Sequence, residues 1–227
     1  MKQSNKTELV LGLSANNPIL EELFEDWISI TDFSFWRFFK SDKEQHTEKK
    51  LRAWEKFLRS VITKYNAKKV ITYKCDVKGM IIVLDTCVVR TYRSAQFLKI
   101  RPLYRLKSPY LEKLLMSRQL GTIGVFVCEK IQPLVDIETM ALSMKITPKL
   151  FEKMNEDVLS ALNKIHSYGY CHDDTTLDNC GYNKKTGNFV LFDYDGSYRT
   201  HLKTRKEQCR DFSRWSKSLE TWKKYLP

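Results

Sequence analysis

The chain has 227 residues, 39 Lys+Arg against 27 Asp+Glu, a formal charge of +12 and 42% hydrophobic residues. This length suits one domain, or one compact domain with a helical extension, and the apolar content excludes disorder throughout. The best apolar run, residues 80–84, stops at Asp85, far short of the ~18 residues of a membrane span, and the N-terminus has no apolar stretch ahead of a cleavage site, so no secretory signal is expected.

Residues 1–66 read as mostly helical. Leu20, Leu23, Phe24, Trp27 and Ile28 follow the 3–4 spacing of one helix face. A second helix is expected from Thr47, with Leu51, Trp54, Phe57, Leu58, Val61, Ile62 and Tyr65 as its stripe. Residues 68–101 change period. KKVITYKC, MIIVLD, CVVRTYR and QFLKI read as the strands of an antiparallel meander. Ser108-Pro109 is expected to open a helix carrying Leu111, Leu114 and Leu115, and VFVCEKI is expected to be a further strand, ended by Pro133. Thr147-Pro148 predicts a helix start with a hydroxyl cap, and Gly169 its left-handed end. A loop, a strand over 188–192 and a basic helix over roughly 206–225 complete the chain.

The cysteines Cys75, Cys87, Cys128, Cys171, Cys180 and Cys209 contain no pair at zinc-knuckle spacing. They read as reduced thiols of a cytoplasmic protein. The positive charge is concentrated. Residues 87–119 hold eight Lys/Arg and one acid, Glu112, and residues 196–227 hold nine against three. Such a field attracts a polyanion. No zinc-finger or single-strand-binding motif accompanies it, so nucleic acid is not the expected partner.

Against this basic background, one stretch is acidic. A loop after the capped helix holds His172, Asp173, Asp174, Asp178 and Asn179, and the apolar strand that follows ends in Asp193 and Asp195. Carboxylates and a carboxamide at a strand end form a hard, oxygen-rich set that suits Mg²⁺.

The order of these groups resembles the protein-kinase-like superfamily. His172-x-Asp174-x4-Asn179 matches the catalytic-loop pattern H-x-D-x4-N, and Asp193 follows as the metal-binding aspartate does. The resemblance implies an α+β, reduced two-lobed protein-kinase-like fold, with a small antiparallel sheet lobe and a mainly helical lobe. Its expected organisation is an N-terminal helical extension (1–66), a nucleotide-binding lobe (67–132) and a truncated helical lobe with the catalytic loop (133–227). It implies an ATP- and Mg²⁺-dependent kinase in which Asp174 is catalytic and Asn179 and Asp193 hold the metal. Backbone groups from Glu129 to Ile131 would meet adenine. Lys99, on a third strand and paired with Glu112, would meet the phosphates, with Arg90 as the rival. Asp211 would brace the catalytic loop from the last helix.

The sequence departs from the family pattern in lacking a G-x-G-x-x-G loop. Asp193-Tyr194-Asp195 stands in place of D-F-G, and Asp195 is followed by 32 residues without an A-P-E segment. In appearance the chain is most similar to the lipopolysaccharide-core heptose kinases. That similarity implies ATP and an anionic glycan or glycolipid acceptor as partners, and a cytoplasmic protein peripheral to the inner membrane face. A minimal viral or bacterial-effector protein kinase and an inactive pseudokinase binding module are the alternatives.

Overall fold

A computed structural model describes residues 44–75, 79–133, 147–199 and 205–223. The expected first helix lies outside the described residues. The chain divides into two compact units, residues 1–97 with 115–130 and residues 98–114 with 131–227.

In the first unit, helix α1 (Glu44–Tyr65) precedes three antiparallel strands, β1 (Val70–Cys75), β2 (Gly79–Leu84) and β3 (Cys87–Arg93). β4 (Leu114–Leu120) and β5 (Ile123–Glu129) complete a five-stranded sheet in the order β1-β2-β3-β5-β4. Period-2 alternation gives this sheet one apolar face: Met80, Ile82 and Leu84, Cys87 and Val89, and Ile123, Val125 and Val127. The face shares a buried core with Trp54, Phe57, Leu58, Val61 and Ile62 of α1. The expected stripe therefore serves as core. Neighbouring positions face the other way. Ile81, Arg90 and Phe126 are cross-strand partners there, and Phe126 stacks on Phe97 at 4.6 Å. Gly79 is required where β2 meets β3, because a Cβ would lie 2.0 Å from the Thr91 carbonyl oxygen.

Two expectations are corrected here. QFLKI is not a strand. Helix α2 runs over Ser94–Tyr104, and Phe97, Ile100, Leu103 and Tyr104 are its buried positions, a helical rather than an alternating period. Lys99 lies on its exposed side; the third strand carries Arg90, 6% exposed, and Arg93 at its exposed end. Ser108-Pro109 does not open a helix either. Leu114 begins β4, and Glu112 precedes it on a loop whose backbone is tied to the second unit's own strand, Glu112 N–H donating to the Leu191 carbonyl at 3.0 Å. The run 114–120 goes extended because it lies beside β5 in the sheet. VFVCEKI is a strand as expected, though it stops at Glu129; Gln132–Pro133 form the short strand β6.

The second unit is built on α3 (Pro148–Ser167), which buries Met154, Val158, Ala161, Leu162 and Ile165. Its start is as expected: Thr147 Oγ1 accepts from the Leu150 N–H at 3.2 Å, and proline occupies the first turn. Gly169, at φ 76°, ends it and donates to the His166 carbonyl. β7 (Tyr170–Cys171), a 3-10 turn (Leu177–Asn179), β8 (Cys180–Asn183) and β9 (Asn188–Leu191) follow. β8 pairs with both β6 and β9, while β7 pairs with β10 (Tyr198–Arg199). The basic helix α4 (Arg205–Lys223) comes last. Thr147→Ala removes the cap and is expected to cost about 1 kcal/mol, read as a melting-point drop of about 2–4 °C.

Candidate active site

β7 ends at Cys171, and the chain turns sharply into the acidic loop. Asp173 takes a left-handed conformation, φ 63°, which aspartate tolerates better than most residues. This turn swings its carboxylate towards α4, where Arg214 donates to it at 3.1 Å and Arg210 lies at 3.6 Å. The next residue, Asp174, is exposed. Its carboxylate is not loose. Asn179 Nδ2 donates to Asp174 Oδ2 and to the Asp174 carbonyl, both at 2.8 Å. The 3-10 turn over 177–179 is what brings the carboxamide back across five residues. Both amide protons of Asn179 point at Asp174, so its Oδ1 is the atom directed elsewhere.

The strand end is fixed to the same loop. Phe192 N–H donates to the Asn179 carbonyl at 2.9 Å, and His172 Nε2 donates to the Phe192 carbonyl at 2.9 Å. The next residue, Asp193, is the second left-handed aspartate, φ 63° and ψ 72°. A 3-10 turn (Tyr194–Gly196) then folds the chain against the loop. Ser197 Oγ donates to the His172 carbonyl at 3.2 Å, and a Cβ on Gly196 would stand 3.7 Å from that of Asp174. Tyr194 is fully buried between the rings of Tyr104 and His172, and its hydroxyl donates to the Leu191 carbonyl.

Asp211 holds the whole turn. It is 1% exposed, and both its oxygens are used. Oδ2 accepts from the His172 N–H at 2.9 Å and from His166 Nε2 at 2.8 Å; Oδ1 accepts from the Asp173 N–H at 2.9 Å and from Thr175 Oγ1 at 3.4 Å. Burial alone would raise its pKa, but the bonds from His166 and the two amides outweigh this and hold it below the ordinary value. Asp211, Arg214 and Ser218 lie on one face of α4 at helical spacing. Ser218 Oγ accepts from the Leu177 N–H at 3.0 Å, so one helix face supports the loop at three points. Cys171 lies near His166 and Asp211, with ligand atoms of all three within 4.8 Å of one another. The hydrogen bonds already occupying both Asp211 oxygens make this group a brace rather than a metal site.

His172 is fully buried, and burial lowers its pKa. The neutral ring is the form that fits, with Nε2–H donating to Phe192 and Nδ1 accepting from the Asp174 N–H at 3.4 Å. The unfolded chain takes up this proton below about pH 6.5 while the folded protein resists it. The resulting stability is present above about pH 6.5 and falls as the pH drops towards the lowered folded pKa, by up to about 1.4 kcal/mol per pH unit. Urea unfolding at pH 7 and pH 5.5 is expected to show this loss in wild type and a shallower loss in His172→Gln.

Asp174, Asn179 and Asp193 are thus joined through one hydrogen-bonded frame. Lys99 and Glu112 do not occupy the strand and helix that their expected roles required. Glu129 ends β5, and Ile131 is buried with Val190 and Phe192. The expected bracing by Asp211 is present in its geometry. The sequence reading missed Arg214, Ser218, Ser197 and Tyr194. The 211–214–218 helical spacing was the available signal for the first two; the others depend on tertiary folding. No protein-family model and no curated protein matches the chain.

Proposed function

We propose that the protein is a phosphotransferase of protein-kinase-like architecture that moves the γ-phosphate of ATP to a hydroxyl of an anionic glycan or glycolipid. The observation that carries the reading is the Asp211-braced turn. It presents Asp174 with one carboxylate oxygen held by Asn179, and the Asn179 carbonyl accepts from the Phe192 N–H, next to Asp193. The sheet of the first unit is compatible with it: a three-strand meander and a two-strand hairpin in one antiparallel sheet.

The residues present fit a magnesium ion. Asp193 offers a carboxylate and Asn179 Oδ1 a carboxamide oxygen, both hard donors. Mg²⁺, when bound, neutralises charge on the phosphates during transfer. Asp174 then orients the acceptor hydroxyl and accepts its proton, while Asn179 keeps that carboxylate from rotating away. Lys99 lies on the exposed side of α2, which leaves Arg90 on β3 as the candidate phosphate-binding base. Backbone groups from Glu129 to Ile131 are assigned to adenine.

The basic excess over residues 87–119 favours an anionic acceptor. The experiment is transfer of labelled γ-phosphate in the presence of both membrane glycolipids and proteins. Label in the glycolipid fraction, dependent on magnesium, is the expected result. Label on protein alone would replace the acceptor class, and absence of turnover would leave a nucleotide-binding module.

A further inference from the structure

Helix α2 has two unlike faces. Phe97, Ile100, Leu103 and Tyr104 are buried, while Leu98 and Arg101, followed by Arg105 just past the helix, repeat at i, i+3 and i+7 on the other side. Together with Lys107, and with Lys164 and Tyr168 from the end of α3, they line an open cavity of about 640 Å³ within the second unit. The lining contains four cations and no acid. It also contains Leu98 and Tyr168, 54% and 55% exposed, two of the three exposed large hydrophobics among the described residues. Lys164 Nζ stands 5.1 Å from the centre of the Tyr168 ring.

Cations alone would be satisfied by solvent, and isolated exposed apolar residues are common. Their combination in one concavity is more selective. The arginine and lysine heads call for phosphate, and the leucine and tyrosine beside them call for hydrocarbon at the level of a headgroup layer. We infer that this groove docks anionic phospholipid headgroups at a membrane surface, with the four cations on the phosphates and Leu98 and Tyr168 at the acyl boundary. The inference rests on the phosphotransferase reading only in its purpose, which is to bring the protein to a membrane-held acceptor; the binding itself needs neither nucleotide nor metal.

The test is co-sedimentation of the full chain, without ATP or Mg²⁺, with vesicles of phosphatidylcholine alone and of phosphatidylcholine with one third phosphatidylglycerol. Wild type is expected to bind the anionic vesicles, less at high salt, and not the neutral ones. Reversing two exposed charges, Arg105→Glu with Lys107→Glu, is expected to weaken binding roughly 100-fold with an unchanged melting point. Leu98→Ser should weaken it several-fold at constant charge. Lys184→Glu with Lys185→Glu, the same charge change in the exposed β8–β9 turn, should have little effect. Equal losses in the two double variants would show that net charge alone drives adsorption and overturn the site. So would failure of wild type to bind anionic vesicles. Binding of inositol hexakisphosphate or a single-stranded oligonucleotide that depends on Arg105 and Lys107, without vesicle binding, would overturn the lipid assignment.

Discussion

Asp211→Ala is expected to destabilise the protein by about 3–5 kcal/mol, the cost of removing one partner from a buried charged network. Two backbone N–H groups, those of His172 and Asp173, and the His166 ring lose their acceptor together. Asp211 is 1% exposed, so these groups are buried away from bulk solvent. Asp211→Asn is the sharper variant. Asparagine keeps the shape but has one acceptor oxygen where the loop requires two, and its amide would face an amide donor. It should recover only part of the loss. Chemical denaturation of both variants measures this. The pH dependence has a definite sign. The pKa of Asp211 is lowered on folding, so its contribution is present above the ordinary aspartate value and is lost as the pH falls through the lowered one. A cost below about 1 kcal/mol, typical of exposed ion pairs, would show that the loop does not depend on Asp211.

Asp174→Asn is expected to reduce phosphoryl transfer on the order of 10²-fold or more while leaving ATP affinity nearly unchanged. The variant retains the side-chain shape, but its carboxamide has neither the charge nor the basicity to take a hydroxyl proton. The nucleotide is assigned to other groups, so binding should survive. Asp173 is the internal control. Its left-handed backbone directs its carboxylate to Arg214 and Arg210, and asparagine tolerates that backbone conformation. Asp173→Asn should therefore turn over within a few-fold of wild type. The reverse pattern, with Asp173→Asn inactive and Asp174→Asn active, would place the catalytic register one residue away.

Legibility in the sequence followed the range of the forces involved. The capped start of α3 and its glycine end are local events, and the sequence marked both with their own residues. The loop with Asp174 and Asn179 was legible because the contact spans only five residues. Asp211 was legible only through family resemblance, since nothing in Arg210-Asp211-Phe212 itself reveals that His172 and Asp173 lie against it. The errors fell where local composition opposed tertiary context. Phe97 and Ile100 favour strands, yet the segment is a helix that accommodates Pro102. Leu111, Leu114 and Leu115 have helical spacing, yet Leu114 and Leu115 belong to β4 beside β5. Charge excess pointed to a polyanion, but which cations converge became visible only with α2 and the end of α3 around one cavity.

The central claim is that the braced loop and Asp193 form a magnesium–nucleotide site. A thermal-shift titration with ATP, with and without Mg²⁺, on wild type and Asp193→Ala tests it most directly. A ligand at a hundred times its Kd stabilises by about 2.7 kcal/mol, which for a chain of this size raises the melting point by about 5–10 °C. Wild type is predicted to show that rise with ATP and Mg²⁺ together and much less with either alone, and Asp193→Ala is predicted to show none. A saturable rise of equal size in wild type and Asp193→Ala, or no magnesium-dependent rise in wild type, would contradict the claim.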